Sequence, residues 1–391
     1  MSVNNGASTS STKLSHTAAI SLFIVSMVSF VAETQLTQYT QTSLGFRQPY
    51  LIFYVVHSSF AIIFPLHFLY LIVIEKHSPR GLIDGLRTAI TAHMTSSQLP
   101  ARSSPFPTRP FIILSVILTV TYSLPALLWF ISITLASVSD VTAIWNTNAF
   151  WAYILTVKVY DLKWEPRRLM AVLLATAGVM IVVYGGNTST SSDPQSLVPT
   201  AGSPITGDIL TLLASVIYGA YQVMYNKHVT LSTTPKSALD DSYDPVPDED
   251  TAGEDLVVID RTVPPPPGLH ANLLTSLIGF FTWILLWIPI PLLDYFNIET
   301  FSLPTNAHTY FTIAGIAFTG VLFNAGFMVL LGVWGPVITS VGNLLTIVLV
   351  LLSDLMLGGS TDTITVWSLV GSGAIVSAFG VLAYDMLKPD E

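Results

Sequence analysis

Ten apolar runs, each about as long as a helix that crosses a bilayer, punctuate this chain and leave few folds open to it. They lie near Ser15–Tyr39, Pro49–Ile74, Pro110–Thr134, Val138–Val157, Arg168–Gly185, Thr206–Asn226, Leu269–Leu293, His308–Val333, Pro336–Leu357 and Ile364–Met386. The fifteen Lys and Arg residues sort by connection. One side receives Lys13, then Lys76, Arg80, Arg87, Arg102 and Arg109 after the second run, and Lys158, Lys163, Arg167 and Arg168 after the fourth. It also takes Lys227, Lys236 and Arg261 after the sixth, and Lys388 in the tail. The other side receives Arg47 alone, a split of 14 to 1. Cytoplasmic loops retain Lys and Arg, so the pattern predicts an even number of crossings with both termini in the cytosol.

A chain that is 51% hydrophobic and 10% charged fits an integral membrane protein. The alternating ten-residue strands of a membrane β-barrel are missing, so the expected fold is all-α. The net charge of −9 is local: the connection Val229–Gly268 carries nine acids against two bases, a balance of −7, and its Pro- and Ser-rich composition predicts a disordered cytosolic linker. The Ser/Thr-rich residues 1–15 read as a disordered cytosolic tail. With no cysteine, disulfides and thiolate metal sites are excluded. No metal or other cofactor is expected, and nothing points to nucleic acid.

The two halves resemble each other. Thr142 and Asn146 in the fourth run match Thr339 and Asn343 in the ninth at an offset of 197, which also aligns Tyr122–Tyr153 with Thr319–Val350 without a gap. Runs five and ten share small-residue stretches, AVLLATAGV and GSGAIVSAFGV. A unit with an odd number of helices repeats only in the opposite orientation, which gives two inverted five-helix repeats of the kind secondary transporters use. The expected order is tail 1–15, first repeat 16–186, lumenal loop 187–205 and second repeat 206–387, interrupted by the linker 229–268. Asn187-Thr188-Ser189 in the loop is a glycosylation sequon close to the membrane.

Polar groups left in the membrane are candidates for function. Glu33 shares a helix face with Ser26, Ser29 and Thr37, either as a functional carboxylate or as a neutral acid bonded between helices. Thr339, Asn343, Thr346 and Asp354 form a stripe in the ninth run, which the fourth repeats as Thr142 and Asn146. Tyr122 and Trp129, seven residues apart in the third run, share a face. Asp140 reads as a helix cap, His57 and His67 as bonded structure, and 82–94 as an interfacial helix.

The stretches AGVMIVVYGG, GPVITSVGN, ASVSDVTAIWNTNAFWAYIL and FNAGF, with Asn324 inside the last, resemble the drug/metabolite transporter superfamily (EamA-like). Within it the chain is most similar to the nucleotide-sugar-transporter-related solute carriers, closest to the branch proposed to carry thiamine. The resemblance implies that runs four and nine line a substrate cavity, with Asn146 and Asn343 as paired ligands, and that runs five and ten could form a homodimer contact. The nucleotide-sugar carriers have a Gly-Ala-Leu-Asn-Lys run where this chain has Ser340-Val341-Gly342-Asn343-Leu344. The Asn matches and the Lys does not. With no Lys or Arg inside the runs, phosphate would lack a partner, and the acidic and aromatic residues suit a neutral or cationic small solute. The expectation is therefore a transporter and not an enzyme: Tyr384-Asp385 and Gly371-Ser372-Gly373 match no complete membrane-protease motif. Its membrane is in the endomembrane system (Golgi, ER or vacuole) or at the cell surface. The alternatives are an antiporter of nucleotide sugars or other phosphorylated metabolites, and a non-transporting receptor.

Overall fold

The computed structural model describes residues 15–95, 105–135, 138–185, 204–229, 265–356 and 365–387. Among them no strand is present. The helices are α1 (His16–Thr42), α2 (Pro49–Ser59), α3 (Ile63–Val73), α4 (Pro79–Met94), α5 (Thr108–Leu135), α6 (Val138–Trp145) and α7 (Asn148–Val159). They continue as α8 (Pro166–Gly185), α9 (Pro204–Val229), α10 (Leu269–Leu285), α11 (Pro289–Tyr295), α12 (Ala307–Asn343), α13 (Leu345–Met356) and α14 (Val366–Leu387). Among the described residues seven helical stretches are long and apolar enough to cross a bilayer, and the bent pair α10–α11, taken as one span, makes an eighth. The expected tail, the sequon at Asn187, most of the loop 187–205 and most of the acidic linker lie outside the described residues.

All ten apolar runs fall on helices, and the two that do not register as separate crossings are both broken. The fourth run splits at Asn146–Thr147 into α6 and α7. Three successive polar side chains turn back onto the backbone at this break: Asn146 Nδ2 donates to Thr142 O at 2.7 Å, Thr147 Oγ1 to Ile144 O at 2.7 Å, and Asn148 Nδ2 to Trp145 O at 2.9 Å. Each occupies a carbonyl that a continuing helix would have used. The ninth run shares α12 with the eighth, across a kink at Gly335 with φ 78° and ψ 170°, a conformation open to glycine. Pro336 then opens the next stretch, where a missing N–H is harmless. A second break follows Asn343, and α13 begins at Leu345.

Distant residues satisfy the polar backbone where helices begin or bend, as a bilayer demands. The Ser276 hydroxyl donates to Ala61 O at 2.7 Å, and the Phe64 N–H donates to Ser276 Oγ at 3.0 Å, which pins the 3-10 turn Phe60–Ile62 between α2 and α3. The start of α2 has no cap from its own N-cap residue, Gln48. Glu299 supplies one instead, accepting from the N–H of Tyr50 at 3.0 Å and of Leu51 at 3.1 Å.

Contacts fix the helix directions. α1 runs antiparallel to the first part of α12, with Phe23 on Trp334 and Tyr39 on His308. α9 runs parallel to it, since Tyr221 meets Met328 and Asn226 bonds Leu331. The start of α1, the ends of α3 and α9 and the start of α10 therefore share one end of the bundle. α4 covers that end, burying Leu82, Leu86 and Ile90 against Leu71 and Leu269 while Arg80 and Arg87 stay exposed. Lys76 and Lys227 lie at the same end, and Arg47 lies at the other. α8 and α14 pair through glycine: a Cβ built on Gly178 would lie 2.8 Å from Gly371 O, and one on Gly371 would lie 2.5 Å from Gly178 O. The small-residue stretches of runs five and ten thus pack on each other within the chain.

Candidate functional site

The expected face of α1 is the one that packs on α12. Ser26 and Ser29 are buried and Thr37 is half-buried. Glu33 sits among them in the interior of the helix, where its carboxyl faces Gly320: a Cβ there would lie 3.1 Å from Oε1. No described residue forms an ion pair or a hydrogen bond with that carboxyl; only its backbone oxygen is bonded, by Thr37 Oγ1 at 2.7 Å.

Tyr122 is the hub of the site. From α5 its hydroxyl donates to Asn324 Oδ1 on α12 at 2.7 Å, and Asn324 Nδ2 donates on to Gly320 O at 2.9 Å. The bonded pair Tyr122–Asn324 thus ends on the glycine that faces Glu33. Around the Tyr122 ring stand Tyr221 at 5.0 Å, His57 at 5.4 Å and Tyr218 at 6.4 Å between centroids. Trp145, in the last turn of α6, stacks on Tyr218 at 5.1 Å and 28°. His57 is held by its backbone contact, Nδ1 to Phe53 O at 3.0 Å. The result is one carboxyl group, one tyrosine–amide pair and a wall of aromatic faces where α1, α2, α5, α6, α9 and α12 converge.

Of the residues singled out from sequence, Glu33, Tyr122 and Asn324 come together here. Trp129 is half-buried two turns further along α5. Thr142 and Asn146 lie just before the break between α6 and α7. Thr339 is buried and spans the Gly335 kink, with Oγ1 on Gly335 O at 2.8 Å and Leu330 O at 3.3 Å. Asn343 lies at the break before α13, its Oδ1 buried without a hydrogen-bond partner. No hydrogen bond joins the Asn146 and Asn343 amides. Asp354 is in α13, but its side chain falls outside the described residues. Among the described residues no cluster of three or more His, Cys, Asp or Glu could hold a metal ion.

Tyr218, Tyr221 and Trp145 were not expected in the site. The signal was present for two of them: Tyr218, Tyr221 and Tyr225 follow at spacings of three and four on α9, one face of a helix.

No family profile matches the chain. It is 24% identical over 374 residues to an uncharacterized transporter of the fission yeast Schizosaccharomyces pombe, covering 95% of this chain and 96% of that one. A solved structure described only as a crystal structure of a protein superposes with a TM-score of 0.56 at 11% identity, over 96% of this chain and all of its own, a likeness of fold. The apolar helices support an integral, multi-pass membrane protein, and the yeast relative that matches nearly all of it is named a transporter.

Proposed function

We propose that this chain is a secondary transporter that moves a small neutral or cationic organic solute by alternating access between two inverted five-helix repeats. The observation that carries the reading is Glu33. An ionised group in the hydrocarbon interior costs at least about 2.5–3.5 kcal/mol, and this one faces a glycine with no described counter-charge. An organic cation would supply the missing charge, and the rings of Tyr122, Tyr218 and Tyr221 would supply π faces, worth about 2 kcal/mol when desolvated. A thiamine-like cation is one member of that class. The alternative, antiport of a nucleotide sugar or other phosphorylated metabolite, would need a basic partner for phosphate. The described Lys and Arg residues lie in connections or near helix ends, so that reading is the weaker. A receptor that does not transport is the third.

The pattern of helix pairs supports the repeat. Exchanging the two halves turns the first run paired with the eighth into the sixth paired with the third, and the pairs α1–α12 and α5–α9 are of that kind. Runs five and ten exchange with each other, and Gly178 and Gly371 meet reciprocally. The breaks after Asn146 and Asn343 stand at the offset of 197 that aligns the halves. On this reading the chain crosses ten times. The end with α4, Lys76, Arg80, Arg87 and Lys227 faces the cytosol with both termini, in an endomembrane or at the cell surface. A homodimer through α8 and α14 would use their outer sides, where Met170, Leu173, Leu369 and Val370 are exposed.

Reconstitution into liposomes tests the proposal, with uptake measured for labelled organic cations, neutral solutes and nucleotide sugars. Saturable uptake of a cation is expected, reduced at least about tenfold by Glu33→Gln, which keeps shape and hydrogen bonding but not charge. Unchanged cation uptake by the Gln variant would show the carboxyl to be structural. Saturable uptake of only a phosphorylated solute would favour the antiporter.

A further inference from the structure

The two helix breaks are connected through one buried amide. Gln222 on α9 is 1% exposed, as is Ser340 on α12, and Asn148 at the start of α7 is 4% exposed. The Ser340 hydroxyl donates to Gln222 Oε1 and also lies on Pro336 O in the preceding turn. Gln222 Nε2 donates to Asn148 Oδ1 at 3.4 Å, and Asn148 Nδ2 donates to Trp145 O at 2.9 Å. Trp145 O is a carbonyl that the α6–α7 break leaves without a helical donor. Ser340 stands one turn before the α12–α13 break. The single Ser340 hydrogen is shared between Gln222 Oε1 and Pro336 O, and the bonds from Gln222 and Asn148 run on from the sixth apolar run to the fourth. An amide has the donor and the acceptor that such a middle position needs.

We infer that Gln222 is a positioning residue that ties the two broken helices together, and that any movement separating them must first part Gln222 from Ser340 or Asn148. This rests on the transporter reading for its purpose, because alternating access requires such a movement, but the tie itself is a statement about the resting bundle. A buried polar group that loses its partner is left unsatisfied at a cost, so each of the two bonds opposes separation of the helices. Gln222 is hydrogen-bonded to none of Glu33, Tyr122 or Asn324, but its amide is within hydrogen-bonding range of the Tyr218 hydroxyl one turn earlier on α9, so the tie borders the aromatic wall of the site.

The absence of cysteine from the chain allows a direct test, since a single introduced thiol is the only one present. Val337→Cys places it in a buried position one turn before Ser340, and Val350→Cys places it on α13 beyond the break. Labelling rates with a membrane-impermeant maleimide are then compared with and without Gln222→Met, which keeps length but removes donor and acceptor. Two interhelical bonds lost should raise labelling at position 337 by about fivefold to tenfold, with no rise at 350. Ser340→Ala should give a smaller rise at 337, and adding it to Gln222→Met should change nothing further, because both remove the same bond. Unchanged labelling at 337 in the two single variants, or effects that add, would overturn the tie. If Gln222→Met fails to accumulate, Ser340→Ala alone decides by the same measure. Labelling needs no solute, so a raised rate with no saturable uptake of any solute would count against the transporter reading and leave the tie standing.

Discussion

Substituting alanine for Gly371 adds one methyl group at the point where α14 comes nearest to α8. That carbon would lie 2.5 Å from Gly178 O, 2.6 Å from Val182 Cγ2 and 2.9 Å from Val182 N. Two of the three are backbone atoms, which no rotamer change can move. Ordinary contact begins near 3.4 Å, so the helices must part locally by about 0.9 Å. A gap of that size forfeits about a quarter to a half of the dispersion energy across the pair, and overpacking of this kind costs about 1–3 kcal/mol. Alanine also favours the helix over glycine by about 0.8–1 kcal/mol, which masks part of the loss. Gly373 supplies the control, for it lies on the same helix and a Cβ there has nothing within 4 Å. The propensity gain is common to both variants, so their difference isolates the clash at about 1–3 kcal/mol. Heating in detergent followed by size-exclusion chromatography measures it. Gly371→Ala should lose its monodisperse peak at a lower temperature than Gly373→Ala. Equal midpoints, or the reverse order, would refute the close approach of α8 and α14.

Two further results are expected. Tyr122→Phe leaves Asn324 Oδ1 buried without its donor, at a cost of about 1–3 kcal/mol; the thermal midpoint should fall, and adding Asn324→Leu should recover part of it, so a further additive loss would show that the two residues act separately. Burial lowers the His93 imidazole below its usual 6.5, so α4 released from the bundle takes up a proton more readily than α4 docked. Docking is then at full strength above about pH 6.5 and weakens as pH falls through that value; hydrogen exchange in 79–94 should quicken at pH 5.5 relative to 7.5, and equal protection would place the His93 ring in water.

Helices were legible where one physical requirement dominates. A run of about 20 apolar residues in a membrane protein has nowhere to go but a helix, and Gly335-Pro336 marks the turn between the eighth and ninth runs in two residues. The break at Asn146 was not expected, although Asn146-Thr147-Asn148 is an unusually polar triplet for such a run. Counting apolar residues does not register a side chain that competes for a carbonyl in its own helix. Glu33 stood out because a membrane acid is rare; its glycine neighbour and its distance from any base could come only from the packing of α1 on α12. Tyr122 was marked by spacing, yet its bond to Asn324 and the ring of Tyr221 belong to helices remote in sequence. Ser340 and Gln222 looked ordinary one by one, and with Asn148 they gain meaning only as a relay.

The capping of α2 bears on how the protein is made. Glu299 is 249 residues beyond the Tyr50 N–H that it accepts from, and Ser276, which pins the 3-10 turn, is 212 residues beyond Phe64. While the ribosome is still translating the residues between, the second apolar run enters the bilayer without Glu299 at its first peptide groups and without Ser276 at its bend. Its mature shape is therefore acquired after insertion, when α10 and the connection following α11 arrive. The nascent first half is a set of inserted helices waiting for partners, and a chain that stalls before residue 299 leaves behind a polar helix start that the membrane machinery has every physical reason to treat as unfinished.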